Sequence, residues 1–173
     1  MAATQRMRQG VRALIAFAQP VDHELAAAYL TPALFARFRL MRRSEKLHSL
    51  NVLRAILAEG PAPHDLEVAA LLHDVGKTRY PLVLWQRMAP VIVGVIAPGL
   101  VQRWSCRDPR RWWWRPYVVY VHHPAWSAEL IAAAGANPDA IWLVEHHQDD
   151  ARRWRDHRLY PLLVRLQHAD DLN

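Results

Sequence analysis

Apolar residues recur along the chain with the spacing of helices rather than that of strands. In "SEKLHSLNVLRAILAEG", which starts at Ser44, apolar side chains return every three or four residues until Gly60, and this period predicts an amphipathic α-helix. Similar stripes start at Asp65 ("DLEVAALLHDVGK"), Pro124 ("PAWSAELIAAAG"), Asn137 ("NPDAIWLVEHHQ") and Tyr160 ("YPLLVRLQHADDLN"). An alternating, strand-like pattern is confined to the short run "YVVYV". The pattern therefore predicts an all-α fold, a helical bundle.

Residues with strong capping preferences mark the ends of several predicted helices. Thr31 followed by Pro32 predicts a helix start, because Thr is a favoured N-cap and Pro a favoured first helical residue. Asp65 is the expected N-cap of a later helix that Gly76 would end. The segment 1–20 combines basic side chains with an apolar stretch that Arg12 interrupts, which predicts a helix rather than a signal peptide.

The amino-acid composition is typical of a single globular domain. At 52% hydrophobic residues, the 173-residue chain has enough apolar material for a single core. Its single cysteine, Cys106, excludes an internal disulfide framework and a thiolate-rich zinc site. Any metal would therefore be held by histidines and carboxylates. No window has the roughly 18 consecutive apolar residues of a membrane span, and we expect a cytoplasmic protein.

Positive charge is in excess. The net charge of +6 is typical of proteins that meet anionic partners, such as phosphorylated small molecules, nucleic acid or a membrane surface. Charge alone does not distinguish among these three.

Side chains that can bind metals recur where the predicted helices should be buried. They are His48, the pair His73 and Asp74, the pair His146 and His147, and Asp170. Each alone has an ordinary explanation, such as a solvated helix end or a hydrogen-bonded core histidine. A carboxylate buried beside a histidine without partners, however, costs several kcal/mol. A divalent cation between the two groups would remove that cost.

Several of these segments resemble the HD-domain metal-dependent phosphohydrolases. "HSLNV" at His48, "ALLHDVGKT" around His73 and "ADDLN" at Asp170 are similar to the ordered His, His-Asp, Asp pattern of that superfamily. "HHPAWSAELI" and "VEHHQDD" are similar to segments of its HD-GYP branch, and the first of them indicates His123 rather than His122 as a ligand. The resemblance implies an all-α HD-domain bundle.

The resemblance also implies a set of metal ligands. His48, His73, Asp74 and Asp170 would hold a first metal, and Asp74 would bridge to a second metal held by His123, His146 and His147. Imidazole and carboxylate ligands suit divalent transition metals, so one or two ions of Fe, Mn, Zn, Co or Ni are expected.

The activity implied by the resemblance is hydrolysis of a phosphomonoester or phosphodiester, with a nucleotide-like substrate as one option, by a metal-activated water. Asp74 and Lys77 are the implied catalytic residues. Lys77 would neutralise substrate phosphate, although a lysine at the end of a helix also interacts with the helix dipole. The expected partner is therefore a phosphorylated small molecule or nucleotide rather than nucleic acid.

One part of the HD-GYP pattern is missing. That branch continues after its paired histidines with Asp-Gly-x-Gly-Tyr-Pro, which is associated with cyclic di-GMP hydrolysis, whereas "HHQDDARRWRDHRLYP" contains no glycine. The resemblance thus implies the chemistry without that substrate. A regulatory domain that binds metal or ligand without turnover, and a di-iron oxygenase-type enzyme, stay open as alternatives. His122 and Asp171 likewise stay open as substitutes for their neighbours.

We expect a single HD domain over residues 1–173. Residues 42–173 would form its metal-binding core, preceded by an N-terminal helical extension over residues 1–41. An apolar insertion rich in Trp and Arg occupies residues around 80–120. We expect it to form a proline-broken helical hairpin that covers the pocket, or an oligomer surface. Peripheral membrane contact through residues 81–118 and stacking on single-stranded nucleic acid are allowed by the composition but not favoured.

Overall fold

A computed structural model describes residues 20–173, and over this range the chain is all-α with no strand. The α-helices of this range are α1 (His23–Tyr29), α2 (Pro32–Leu40), α3 (Arg43–Glu59), α4 (His64–Leu72), α5 (Leu84–Ile96), α6 (Pro98–Ser105), α7 (Arg115–Ala132), α8 (Pro138–His146) and α9 (Tyr160–Asp171). Two short 3-10 helices, Val75–Arg79 and Ala151–Trp154, follow α4 and α8. The predicted all-α class is confirmed. The helix expected at the N-terminus lies outside the described residues.

The predicted caps of α2 and α3 are confirmed. Thr31 precedes α2, and its Oγ1 accepts a hydrogen bond from the amide of Leu34 at 3.4 Å, while Pro32 is the first helical residue. Gly60 ends α3 with φ of 131°, a backbone conformation that residues with a Cβ rarely adopt. These ends were predictable because each depends on neighbouring residues alone.

The bounds of α4 differ from those predicted. Pro63 is its N-cap, and Asp65 lies in the first turn, where its carboxylate accepts a hydrogen bond from Asn137 Nδ2 at 3.0 Å. The α-helix ends at Leu72, and the chain tightens into the 3-10 helix that contains Gly76. His73 and Asp74 therefore lie at the junction of two helix types, where the backbone changes direction.

Helix α7 is longer than predicted and replaces the strand candidate. It includes "YVVYV" and continues through Pro124, which lies inside the helix rather than at its start. Helix α7 is covered on several sides, so its buried residues, such as Val118, Val119 and Ser127, do not follow a single helical stripe. For this reason the apolar run resembles a strand in the sequence although it is helical in the structure.

The core lies between α3, α4, α8 and α9. Its fully buried side chains include Leu53, Ile56, Leu71, Leu143 and Leu163. Burial of each such side chain stabilises the fold by about 1.5–3 kcal/mol. This core fixes the relative positions of the helices that carry His48, His73, His147 and Asp170.

Helices α5 and α6 form a hairpin (84–105) that packs on α7. Ala97 ends α5 with φ of −149° and ψ of 72°, and Pro98 begins α6. Arg87 of α5 forms an ion pair of 2.8 Å with the buried Glu45 of α3, which anchors the hairpin to the bundle. Among the described residues, no helix has both the length and the apolar content to cross a bilayer.

Candidate metal centre

Five separate segments bring metal-binding side chains to one place in the bundle. His48 comes from α3, His73 and Asp74 from the junction after α4, His123 from α7, His147 from the residue after α8, and Asp170 from α9. Their atoms form two groups that share Asp74. We call His48, His73 and Asp74, together with Asp170, the first cluster, and Asp74, His123 and His147 the second cluster.

Imidazole and carboxylate atoms converge in the first cluster. The Nε2 atom of His48 lies 2.8 Å from Oδ1 of Asp170 and 3.3 Å from Nε2 of His73. The Nε2 atom of His73 lies 3.7 Å from Oδ2 of Asp74 and 3.6 Å from Oδ1 of Asp170. One ligand atom from each of His48, His73 and Asp74 falls within 4.8 Å of the others, which is close enough for one ion to contact all three.

The second cluster is more deeply buried. The Nε2 atom of His123 lies 3.2 Å from Oδ1 of Asp74. Asp74 Oδ1, His123 Nε2 and His147 Nε2 are buried atoms without a hydrogen-bond partner among the described residues. The His147 ring centroid lies 5.3 Å from that of His123 and 5.1 Å from that of His73. Three polar atoms thus face one another across a small buried space.

Backbone carbonyls orient the three buried rings. Nδ1 of His73 lies 3.0 Å from the carbonyl oxygen of Ala70, and Nδ1 of His147 lies 2.7 Å from that of Val144. Because a carbonyl oxygen only accepts hydrogen bonds, Nδ1 must carry the proton in each ring. The lone pair is then on Nε2, the atom that faces the clusters, as in histidines that bind metals.

Pro124 contributes to the orientation of His123. A proline has no amide hydrogen, so in α7 it leaves the carbonyl oxygen of Tyr120 without its usual helical partner. His123 Nδ1 lies 3.1 Å from that oxygen and 3.0 Å from the carbonyl oxygen of Val119. The proline in the "HHP" segment therefore frees an acceptor for the histidine that precedes it.

The arrangement fits a divalent metal. Buried lone pairs without donors cost about 1–3 kcal/mol each, and the second cluster contains three such atoms. A cation between them would satisfy all three at once. The donors are imidazole nitrogens and carboxylate oxygens, a set that suits divalent transition metals.

Burial and neighbouring charges set the protonation states of Asp74, His73 and His147. Burial would raise the pKa of Asp74, but the positive charge of Lys77, with His73 and His123, holds that pKa well below its ordinary value. Burial, with the neighbouring His73 and His123, lowers the pKa of His147 well below its ordinary value. Burial also lowers the pKa of His73. At neutral pH Asp74 is therefore ionised, and His73 and His147 are neutral.

His48 and Asp170 form a hydrogen-bonded pair at the outer side of the first cluster. Burial opposes protonation of His48, but its hydrogen bond to Asp170 and the charges of Asp74 and Asp170 raise its pKa overall. Burial would raise the pKa of Asp170, yet the hydrogen bond from His48 lowers it. A metal in the first cluster would take the place of the proton that this pair shares.

The structure does not bring His146 into either cluster. Its Nδ1 atom lies 2.7 Å from Oδ2 of Asp149, and its ring contacts those of Trp142 and Trp154, with centroids 4.7 and 4.2 Å away. Consecutive residues of a helix project about 100° apart, so His146 and His147 cannot face the same side. His147 is the member of the pair that faces Asp74.

The positions of the side chains also distinguish His123 from His122 and Asp170 from Asp171. His122 Nε2 lies 3.2 Å from the carbonyl oxygen of Ser105, and its ring stacks on Trp126, so the preceding histidine of the "HH" pair faces away from the clusters. Asp171 is exposed, whereas Asp170 contacts His48.

Lys77 lies next to the shared carboxylate. Its Nζ donates a hydrogen bond to Oδ2 of Asp74 at 2.7 Å, and its side chain is about one-third exposed, at 30%. The ammonium group thus faces both the clusters and a pocket of about 180 Å³ that is also lined by Arg87, Val91 and His123.

A larger cleft of about 740 Å³ opens beside the clusters and is lined by His147, Gln148, Asp149 and Asp170 among others. Tyr120 and Gln148 line both this cleft and the pocket near Lys77. The cleft and the pocket are therefore adjacent, and both border the centre.

Three further residues support the centre without having been predicted to do so. Gly76 N–H donates to Ser127 Oγ at 2.7 Å, and Gln167 Nε2 donates to the carbonyl oxygens of His147 at 3.0 Å and Asp149 at 2.8 Å. Gly76 and Ser127 belong to "HDVGK" and "HHPAWSAELI", so their segments were recognisable although their contact was not. Nothing in the sequence marks Gln167.

Comparison with known proteins agrees with this geometry. The chain matches the HD domain family over residues 47–173. No curated protein and no solved structure matches it. The matched range includes every residue of both clusters and covers more than half of the chain, and the chain therefore belongs to the HD-domain family.

Proposed function

We propose that this protein is a metal-dependent phosphohydrolase that cleaves a phosphomonoester or a phosphodiester. The observation that carries the proposal is the carboxylate of Asp74, whose two oxygens face different clusters. Oδ2 is the oxygen nearer His73, at 3.7 Å, and Oδ1 is the oxygen nearer His123, at 3.2 Å. A carboxylate in this position can bridge two divalent ions.

The ligand sets follow from the two clusters. His48, His73, Asp74 and Asp170 would hold one ion, and Asp74, His123 and His147 would hold the other. The second set has only three protein ligands, which leaves room for water or substrate at that ion, as in catalytic rather than structural sites.

A bound divalent ion supplies a Lewis acid that activates water and offsets negative charge on phosphoryl oxygens. The chain's own residues then have defined tasks. Asp74 stays ionised because Lys77 lies beside it. Lys77 presents its ammonium group to the 180 Å³ pocket, where it would bind a phosphoryl oxygen of the substrate. The ring orientations set by Ala70 and Val144 keep the two buried lone pairs in place.

The size of the cleft supports a small-molecule substrate. A volume of about 740 Å³ lies within the range of roughly 300–1,000 Å³ that is usual for such sites. A nucleotide-like substrate would fit this cleft, which shares Tyr120 and Gln148 with the pocket near Lys77. The sequence after His147 contains no glycine and so does not support cyclic di-GMP as the substrate.

The alternative function is a regulatory domain that binds metal or ligand without turnover. A regulatory domain would use the same metal ligands, so the ligands do not distinguish the two functions. The open cleft favours hydrolysis, because a metal that serves structure alone is normally closed off by protein ligands. No feature of the described residues favours the di-iron oxygenase-type alternative over hydrolysis.

The test is turnover by the full chain after reconstitution with manganese, iron, zinc or cobalt. The substrates are p-nitrophenyl phosphate, bis(p-nitrophenyl) phosphate, a panel of nucleotides and cyclic dinucleotides. We expect at least one phosphoester to be cleaved, and we expect Asp74→Asn to abolish that cleavage. Lack of cleavage by a metal-loaded, folded protein would contradict the proposal and support the regulatory function.

A further inference from the structure

Most of the large hydrophobic residues that are exposed in the described part of the chain lie in the hairpin and in the tryptophan segment after it. Of the side chains that the structure describes, fourteen large hydrophobics are exposed, and ten of them lie in the segment from Val83 to Trp113. We call nine of these ten the hairpin face: Trp85, Met88, Val91, Ile92, Val95, Ile96, Leu100, Trp112 and Trp113. Val95 is 83% and Ile96 78% exposed. A patch of this extent on a folded domain indicates an interaction surface.

The exposed residues of α5 lie on one side of the helix. Trp85, Met88, Ile92 and Val95 are separated by three or four positions, which places them on one face. Gln86 and Pro90 lie on the buried side. Since α5 contacts the bundle with its other side, the apolar stripe is a surface feature of an anchored helix and not a consequence of loose packing.

Tryptophan side chains gather at one end of the hairpin face. The ring centroids of Trp85 and Trp112 lie 5.4 Å apart, and those of Trp112 and Trp113 lie 5.9 Å apart. Gln86 Nε2 donates to the carbonyl oxygen of Trp112 at 2.7 Å and so ties the tryptophan segment to α5. Tryptophan combines an apolar ring with a polar N–H, and it is enriched where membranes meet water.

The charge around the hairpin face is almost entirely positive. Residues 81–118 contain six arginines and one acidic residue, Asp108, a net charge of +5 out of +6 for the whole chain. The exposed arginines are Arg103, Arg107, Arg110 and Arg111. None of their guanidinium groups forms an ion pair with a carboxylate within residues 20–173. They are available for anionic groups of a partner.

We propose that the hairpin face docks on the surface of an anionic membrane. Its aliphatic and tryptophan side chains would enter the interface between headgroups and acyl chains, and the arginines would bind lipid phosphates. The helices of the hairpin would lie in the plane of the interface.

The charge and the side-chain types of this surface favour an anionic membrane over a second copy of the chain and over nucleic acid. A second copy of the chain would place one set of four exposed arginines against another, and like charges that meet across an interface repel. Nucleic acid would pair with the arginines and stack on the tryptophans, but it offers no apolar surface for Ile92, Val95 and Ile96. An anionic bilayer complements both the charge and the apolar stripe.

Docking would bring the metal centre to the membrane surface. Val91 belongs to the hairpin face and also lines the pocket that contains Lys77 and His123. A cleft of about 380 Å³ is lined by Val91 and Val95 of the hairpin face and by Tyr120, which also lines the pocket near Lys77. The docking proposal concerns the hairpin face and does not depend on which reaction the centre performs.

The test is co-sedimentation of the full chain with vesicles. One set contains phosphatidylcholine alone, and the other contains equal parts of phosphatidylcholine and phosphatidylglycerol. We expect the protein to sediment with the anionic vesicles, to bind neutral vesicles much more weakly, and to be released in part by salt. Replacing Arg107 or Arg111 by Gln should weaken partitioning about fivefold for each arginine.

Matched variants separate the surface from general effects. Val95→Asp should abolish sedimentation, whereas Leu40→Asp, at a residue 65% exposed on α2, should leave it unchanged. Arg153→Gln, in the second 3-10 helix, is the control for the arginines. In brominated phosphatidylcholine and phosphatidylglycerol, quenching of tryptophan fluorescence should fall in Trp112→Phe and persist in Trp142→Phe.

Three outcomes would overturn the proposal. The first is a folded protein that does not sediment with anionic vesicles. The second is a dimer in solution that Val95→Asp dissociates, with no vesicle binding by either form. The third is binding of single-stranded nucleic acid that requires Arg107 and Arg111, again without vesicle binding.

Discussion

The amide of Gly76 donates a hydrogen bond to the hydroxyl of Ser127 at 2.7 Å, and the two backbones meet so closely there that a side chain cannot lie between them. A Cβ on Gly76 would overlap the carbonyl oxygen of His123 and would lie 2.7 Å from the amide nitrogen of Ser127. This contact joins the turn that carries Asp74 to the helix that carries His123, and it thereby sets the distance across the second cluster.

We expect Gly76→Ala to separate α7 from the turn after α4. Overpacking of a close contact costs about 1–3 kcal/mol, and the Asp74–His123 distance would increase, so metal affinity should fall as well. Thermal unfolding and metal titration measure the two effects. Gly99→Ala is the matched control, because a Cβ at Gly99 meets nothing within 4 Å. If Gly76→Ala and Gly99→Ala changed unfolding temperature and metal affinity equally, the contact between Gly76 and Ser127 would not be important for the centre.

Metal content should distinguish the members of the clusters. We expect about two ions per chain, loss of both in Asp74→Ala, and loss of chiefly one in His147→Ala. His146→Ala should retain both, because that ring pairs with Asp149 instead of facing Asp74. Elemental analysis after gel filtration provides the count. Loss of a metal in His146→Ala with none lost in His147→Ala would reverse the assignment within this pair.

The metal-free protein should lose stability as pH falls below about 6.5. The pKa values of His73 and His147 are lowered in the folded state because of burial, whereas both residues take up protons near pH 6.5 once unfolded. The unfolded state therefore binds more protons in acid, and the free energy of unfolding decreases there. His48, whose pKa is raised, acts in the opposite direction but is a single group.

Thermal unfolding in a chelator at about pH 8 and about pH 5.5 measures this dependence. His147→Leu should reduce the slope, and His64→Gln, at an exposed residue, should leave it unchanged. A wild-type protein that is more stable at the lower pH would contradict the assignment of buried neutral histidines.

Lys77→Gln should lower kcat/KM by about 10²–10³, the usual loss when one group that stabilises phosphoryl charge is removed. The pKa of Asp74 should rise as well, because the Lys77 charge lowers it, so metal binding should require a higher pH. The measurements are steady-state kinetics and the pH dependence of metal affinity. Lys46→Gln, at the other lysine of the chain, is the control, and the same loss in both variants would count against a specific role.

Much of the fold could be predicted because its signals are local. Thr31 and Pro32 begin a helix, and Gly60 ends one, through contacts with immediate neighbours. The extent of α7 could not be predicted in this way. Its valines and Pro124 are compatible with a strand and a turn until the packing of other helices around them makes the helix the lower-energy state.

By itself, the sequence determined the all-α class, the approximate positions of the helices and the residue types available to a metal, because period, capping and composition are properties of neighbouring residues. Only the tertiary structure decided that His147 rather than His146 faces Asp74 and that the two clusters share one carboxylate. It also decided that the apolar side of α5 stays uncovered. These features depend on how each helix is rotated against its partners, and that rotation is set by packing between residues far apart in the chain.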